Sequence, residues 1–80
     1  MKRVKPPFRA RLDPDKAWER LKVLNMSQGE LARLIGRSPG FVSDLFNRRR
    51  HASGETRRRL MEVLEVTQFE DLFILEETDE

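Results

Sequence analysis

The stretch Gln28–Asn47, QGELARLIGRSPGFVSDLFN, decides how the rest of the chain is read. Leu31, Leu34 and Ile35 give a first helix an apolar face at helical spacing, and Gly36 stops it. Ser38 then caps a second helix, in which Val42, Leu45 and Phe46 return an apolar face. Midway along the first helix, the small side chain of Ala32 lets a second helix cross close by. Gly36 can take the left-handed backbone conformation without a Cβ penalty, and that conformation sets the angle between the helices. Two short helices turned sharply about a glycine form a helix-turn-helix unit. Spacing alone leaves its role open, because many all-helical proteins contain a helix, a glycine and another helix.

The identities of the residues add to the spacing. Gln28, Glu30-Leu31-Ala32, Ile35-Gly36, Ser38, Val42-Ser43, Leu45 and Asn47 stand in the order found in the phage Cro/repressor (Xre-like) type of helix-turn-helix domain, which this chain resembles. Leu60, Met61, Leu64-Glu65-Val66 and Phe69 to Phe73 are similar to the family's closing helices, so the resemblance covers roughly residues 14 to 73. It implies an all-α fold: a compact five-helix, lambda-repressor-like domain with a central helix-turn-helix. It further implies binding to duplex DNA, usually as a homodimer on a two-part operator. The two recognition helices of such a dimer would stand about 34 Å apart, one turn of DNA.

Eighty residues make one domain, near the size at which a single core just suffices. With no cysteine there is neither a disulfide nor a thiolate metal site, which suits a reducing cytoplasm. No apolar run approaches the roughly 20 residues of a membrane span, and Met1-Lys2-Arg3 leads into prolines rather than a signal-type apolar region. The expectation is a soluble, unprocessed cytoplasmic protein without a cofactor. The net charge of +2 conceals an asymmetry about Arg59. All 16 basic residues and 6 acidic ones lie up to that position, and the other 8 acidic residues follow it, so the two parts carry +10 and −8. The basic excess lies in residues 2–11 and 48–59, where a polyanion would be met; charge runs of this kind are also ordinary solvated surface.

Residues 1–12, MKRVKPPFRARL, hold five basic residues and the Pro6-Pro7 pair, so the chain predicts a flexible basic arm rather than a helix. At about 3.3 Å per residue it would reach about 40 Å, enough to lie along a DNA groove. A frayed terminus without a role fits the same residues, as does packing of Val4 and Phe8 on the domain or a partner. The domain proper is expected over 13–75, with an acidic tail over 76–80. Asp13-Pro14 opens a helix that runs to about Leu24, with Ala17, Leu21 and Leu24 on one face and Trp18 beside them as a core aromatic. Ser27 and Glu30 form a capping box for the helix that follows.

Candidate DNA-binding residues gather around the second helix of the motif. In the resembling family the position of Gln28 contacts a phosphate, and the free N–H groups of the first turn add to that attraction. The outward face of the second helix is Pro39, Gly40, Ser43 and Asp44, where the family usually places glutamine, arginine, asparagine or serine. Proline and glycine have no paired donors for bidentate readout, and Asp44 accepts only from a cytosine amino group and otherwise repels phosphate. Direct readout is left to Ser43, Arg37, apolar contact of Pro39 or Phe41 with thymine methyls, and the basic arm. Asn47, Arg48, Arg49 and Arg50 follow, where the family more often has a glycine turn. The resemblance makes them, with Gln28 and Ser38, a phosphate clamp; a solvated basic loop is the other reading. His51, with no second ligand nearby, reads as a loop residue.

Ser53 caps a further helix with Leu60, Met61, Val63 and Leu64 inward, in which at most one or two of Arg57, Arg58 and Arg59 can face the same phosphates. Thr67 to Glu70 forms a second capping box, opening a short fifth helix that buries Phe69, Leu72 and Phe73. Ile74 and Leu75 would contact either a subunit or partner, or Trp18 or the arm within the protein. No nucleophile, base and oxyanion donor converge, and no glycine-rich phosphate loop is present, so the chain is not read as an enzyme. A DNA-binding regulator with phosphate-dominated affinity and limited base readout is the leading reading. The alternative is a protein-interaction module, antitoxin-like or adaptor, binding a partner through its acidic end or its Pro39-Gly40 face.

Overall fold

A computed structural model describes residues 8–77. In order along the chain it has β1 (Phe8–Leu12), α1 (Pro14–Leu24), α2 (Gln28–Ile35), α3 (Pro39–Phe46), α4 (Gly54–Val63), a 3-10 turn (Phe69–Asp71) and β2 (Phe73–Glu77). Each α-helix starts on a side chain that accepts from a free backbone N–H of its first turn. Asp13 takes the N–H of Asp15 at 3.1 Å, Ser27 that of Glu30 at 3.0 Å, Ser38 that of Phe41 at 3.1 Å and Ser53 that of Thr56 at 3.3 Å. Pro14 and Pro39 occupy first helical positions, where a missing N–H costs nothing.

The helices also end alike. Asn25, Gly36, Arg48 and Glu65 all have positive φ, and after each the chain closes two backbone bonds back into the last turn, as in Arg37 N–H to the Ala32 carbonyl at 2.9 Å. Only one of these four positions is a glycine. Long side chains reach across to the same carbonyl ends: Arg20 Nε donates to the Leu64 carbonyl at 3.0 Å, and Arg59 Nη1 to that of Ile35 at 3.3 Å. Cations at helix C-termini are favoured there by the dipole as well.

Leu12, Leu21, Leu31, Ile35, Val42, Leu45, Leu60, Leu64 and Leu72 form the fully buried centre of one core, to which every α-helix and β1 contribute. Two apolar residues assigned inward from sequence turn out at the boundary. Leu34 is 46% exposed, its place in the α2 interface being taken by Ala32, and Trp18 is also 46% exposed, its ring edge-on to Phe46 with centroids 5.1 Å apart. No helix among the described residues is long and apolar enough to cross a membrane.

The five-helix expectation is corrected: four α-helices are joined by a two-stranded antiparallel sheet instead of a fifth helix. Leu12 pairs with Phe73, Ala10 with Leu75, and Phe8 with Glu77. Within β1 the pattern Arg-Ala-Arg-Leu buries Ala10 and Leu12 and turns the arginines outward, the period of two that a half-buried strand requires. Residues 8–12 are therefore not part of a flexible arm, and Glu76 and Glu77 are not part of a tail; residues 1–7 and 78–80 of those expected segments lie outside the described residues. The second capping box also fails. Gln68 occupies the cap position without a side-chain bond, and only three residues wind before the chain straightens. From Phe73 onward the backbone is instead hydrogen-bonded by pairing with β1. Asp13 N–H extends the same join, donating to the Leu72 carbonyl at 2.9 Å.

Candidate nucleic-acid interface

The helix-turn-helix is α2 and α3, joined by Gly36-Arg37-Ser38. Gly36 lies at φ 74°, so the sharp turn rests on the one residue type that takes this conformation without strain. Val42, Leu45 and Phe46 hold α3 to the core, leaving Pro39 and Gly40 exposed and Phe41, Ser43 and Asp44 partly so. Ser38 remains exposed while its oxygen caps α3. Gln28 is the first residue of α2, half-buried, and among the described residues no hydrogen bond joins it to the groups on α3.

Around that outer face the chain collects arginines. The guanidinium carbons of Arg37, before α3, and Arg50, after it, each lie 4.6 Å from the centroid of the Phe41 ring, within cation–π range. Asp44 accepts from Arg49 Nη1 at 3.3 Å and faces Arg50 Nη2 at 3.8 Å. Ser43 Oγ accepts from Asn47 Nδ2 at 3.2 Å. Of the candidate residues, Arg37, Phe41, Asp44, Arg49 and Arg50 thus form one cluster, and Ser43 with Asn47 a second contact beside it. Asp44, which from sequence would accept only from a cytosine amino group and otherwise repel phosphate, meets two of the arginines. Asn47 to Arg50 are all exposed.

What holds the arginine loop in place comes from the two ends of the chain. Arg11 of β1 donates from Nη1 to the Arg48 carbonyl, and its Nε reaches Glu76 Oε1 of β2 at 2.9 Å. His51 Nε2 donates to the same carboxylate oxygen at 2.9 Å, and the Ala52 N–H donates to the Ala10 carbonyl at 2.9 Å. None of Arg11, His51 and Glu76 was singled out from sequence as part of a site. Arg11 and Glu76 are 65 positions apart, and no local signal joins them. Of the three α4 arginines, Arg57 donates to the Ala52 carbonyl at 3.2 Å and Arg59 to the end of α2, so both are engaged within the fold.

The hydrogen bonds from His51 and then Arg11 hold the Glu76 carboxyl below its ordinary value of 4.5, against an opposing effect of burial and with further electrostatic help, first from Arg11. A carboxylate lowered in the folded state adds stability above its unfolded value and loses it as pH falls through the folded one. Urea unfolding from about pH 6 down to about pH 3 should therefore show part of the acid destabilisation disappearing in Glu76→Gln. Identical pH dependence in the two proteins would mean that the cluster does not bear on stability.

A helix-turn-helix family model matches residues 19–71, about two thirds of the chain. Among solved structures the chain is similar to the crystal structure of the transcriptional regulator VanUg, form II, with a TM-score of 0.65 and 19% identity over 98% of this chain and 100% of that one. At that identity the likeness supports the fold. A search of the curated proteins finds no match. With the motif residues, the geometry of α2 and α3 and the extent of the family match in agreement, the chain belongs to the Cro/repressor-type helix-turn-helix family.

Proposed function

We propose that this protein is a DNA-binding transcriptional regulator that docks α3 in the major groove and draws most of its affinity from phosphate contacts. The observation that carries this reading is the set of exposed arginines Arg37, Arg49 and Arg50 held around the outer face of the second motif helix, with Arg48 exposed beside them. Cations at that place meet both groove walls when the helix enters, and each phosphate neutralised releases counterions. Gln28, Ser38 and Asn47 complete the phosphate contacts, with the backbone N–H groups at the start of α2 adding to them. The structural neighbour's description as a transcriptional regulator supports the same reading.

Binding through the acidic end, the protein-interaction alternative, is weakened because Glu76 is already engaged by Arg11 and His51. Selection of bound sequences from a random duplex pool, followed by affinity measurements against salt, tests the proposal. A homodimeric regulator should enrich a two-fold-related sequence whose affinity falls steeply with salt. A steep slope without enrichment would reduce the protein to a non-specific binder. Absence of binding at low salt would overturn the reading in favour of a protein partner.

A further inference from the structure

We propose that Arg50 reads guanine from the outer face of α3 and that Asp44 is its positioning residue; the inference rests on the DNA-binding reading above. The helix itself offers little for base readout, since Pro39 and Gly40 carry no donors and Ser43 Oγ is engaged by Asn47. The fold compensates by bringing guanidinium groups onto this face from outside the helix. Phe41 and Asp44, three residues apart, share the exposed side of α3 and act as the two supports. Arg37 is held by the ring alone, at 4.6 Å, and Arg49 by the carboxylate alone, at 3.3 Å. Arg50 meets both, the ring centroid 4.6 Å from its guanidinium carbon and Asp44 Oδ2 3.8 Å from its Nη2.

A guanidinium stacked on a ring and drawn toward a carboxylate has less side-chain freedom left for binding to remove. With one Nη2 hydrogen turned to Asp44, the second Nη2 hydrogen and its neighbour on Nη1 are left to form the paired contact to O6 and N7 that distinguishes guanine in the major groove. A carboxylate on a surface that meets a polyanion lowers affinity for every sequence, and orientation of Arg50 is what this one provides.

The two effects of Asp44 have opposite signs, and a single substitution separates them. Binding sequences should be selected from a random duplex pool with the native protein, Arg50→Ala and Asp44→Asn, and affinities measured on the selected duplex, its base-substituted versions and a scrambled duplex. The native protein should require a guanine at one position of each half-site, and Arg50→Ala should lose that requirement. Asp44→Asn should bind the scrambled duplex about two- to threefold more tightly, one negative charge having been removed. It should also discriminate guanine from other bases at that position about tenfold less. Its thermal midpoint should fall by no more than about 5 °C, since the ion pairs it loses are exposed and the Arg49 N–H to Asp44 carbonyl bond is made by the backbone. A guanine requirement that survives Arg50→Ala, or an Asp44→Asn protein that gains equally on all duplexes, would overturn the proposal while leaving DNA binding intact. Failure of the native protein to bind any duplex would instead remove the reading on which it rests.

Discussion

Replacing Arg48 by glycine and Arg49 by alanine together should yield a protein that is more stable than the native one yet binds DNA on the order of 50-fold more weakly at about 0.1 M salt. Arg48 stands at φ 61°, a left-handed conformation that costs a residue with a Cβ about 1–2 kcal/mol and glycine almost nothing. The bonds that end α3, Arg48 N–H to the Leu45 carbonyl and Arg49 N–H to that of Asp44, come from the backbone and survive both substitutions. Arg49 contributes an exposed ion pair, whose loss costs at most about 1 kcal/mol. Each phosphate contact contributes about 0.9 to the logarithmic salt slope, so losing two lowers it by about 2. Thermal unfolding and fluorescence anisotropy across a salt series read the two effects separately. An unchanged slope would show that these arginines are not a phosphate clamp. Glu65→Gly, at φ 58° after α4, should give the stability gain without the loss of affinity.

The second large effect concerns the scaffold. Leu31→Ala should destabilise the domain by about 3 kcal/mol, because the side chain is fully buried between the motif and the rest of the core and its removal leaves a cavity. A chain of this size has a total stability of only about 4–12 kcal/mol, so the urea midpoint should fall by about 2 M or more. Leu34→Ala, three residues on, should cost less than about 1 kcal/mol, since that leucine is 46% exposed. The comparison separates two descriptions of α2: the sequence pattern groups both leucines on one apolar face, and the structure buries Leu31, Ala32 and Ile35. Equal losses at the two positions would contradict the packing described here.

Between residues 13 and 66 most of the architecture can be read directly from the residues, because the forces that mark it are local. A capping serine or aspartate meets an N–H two or three residues away, a helical face repeats within one turn or two, and Gly36 bends the chain where it stands. The motif was legible for that reason, and so were the residues that could line a DNA interface.

The ends and the outer face depend instead on contacts between distant parts of the chain. Arg-Ala-Arg-Leu in β1 alternates as a strand should, but five residues beside prolines and charges look the same as an arm until a partner strand more than sixty positions away supplies their hydrogen bonds. The order within the arginines is likewise non-local. Arg37 and Arg50 meet on one aromatic ring because α3 separates them by a fixed length of helix, and Arg11 and Glu76 brace the loop between because the termini pair. Composition disclosed that positive charge flanks this helix-turn-helix, whereas its arrangement, with a carboxylate and a phenyl ring holding guanidinium groups over α3, follows from contacts that no local pattern encodes.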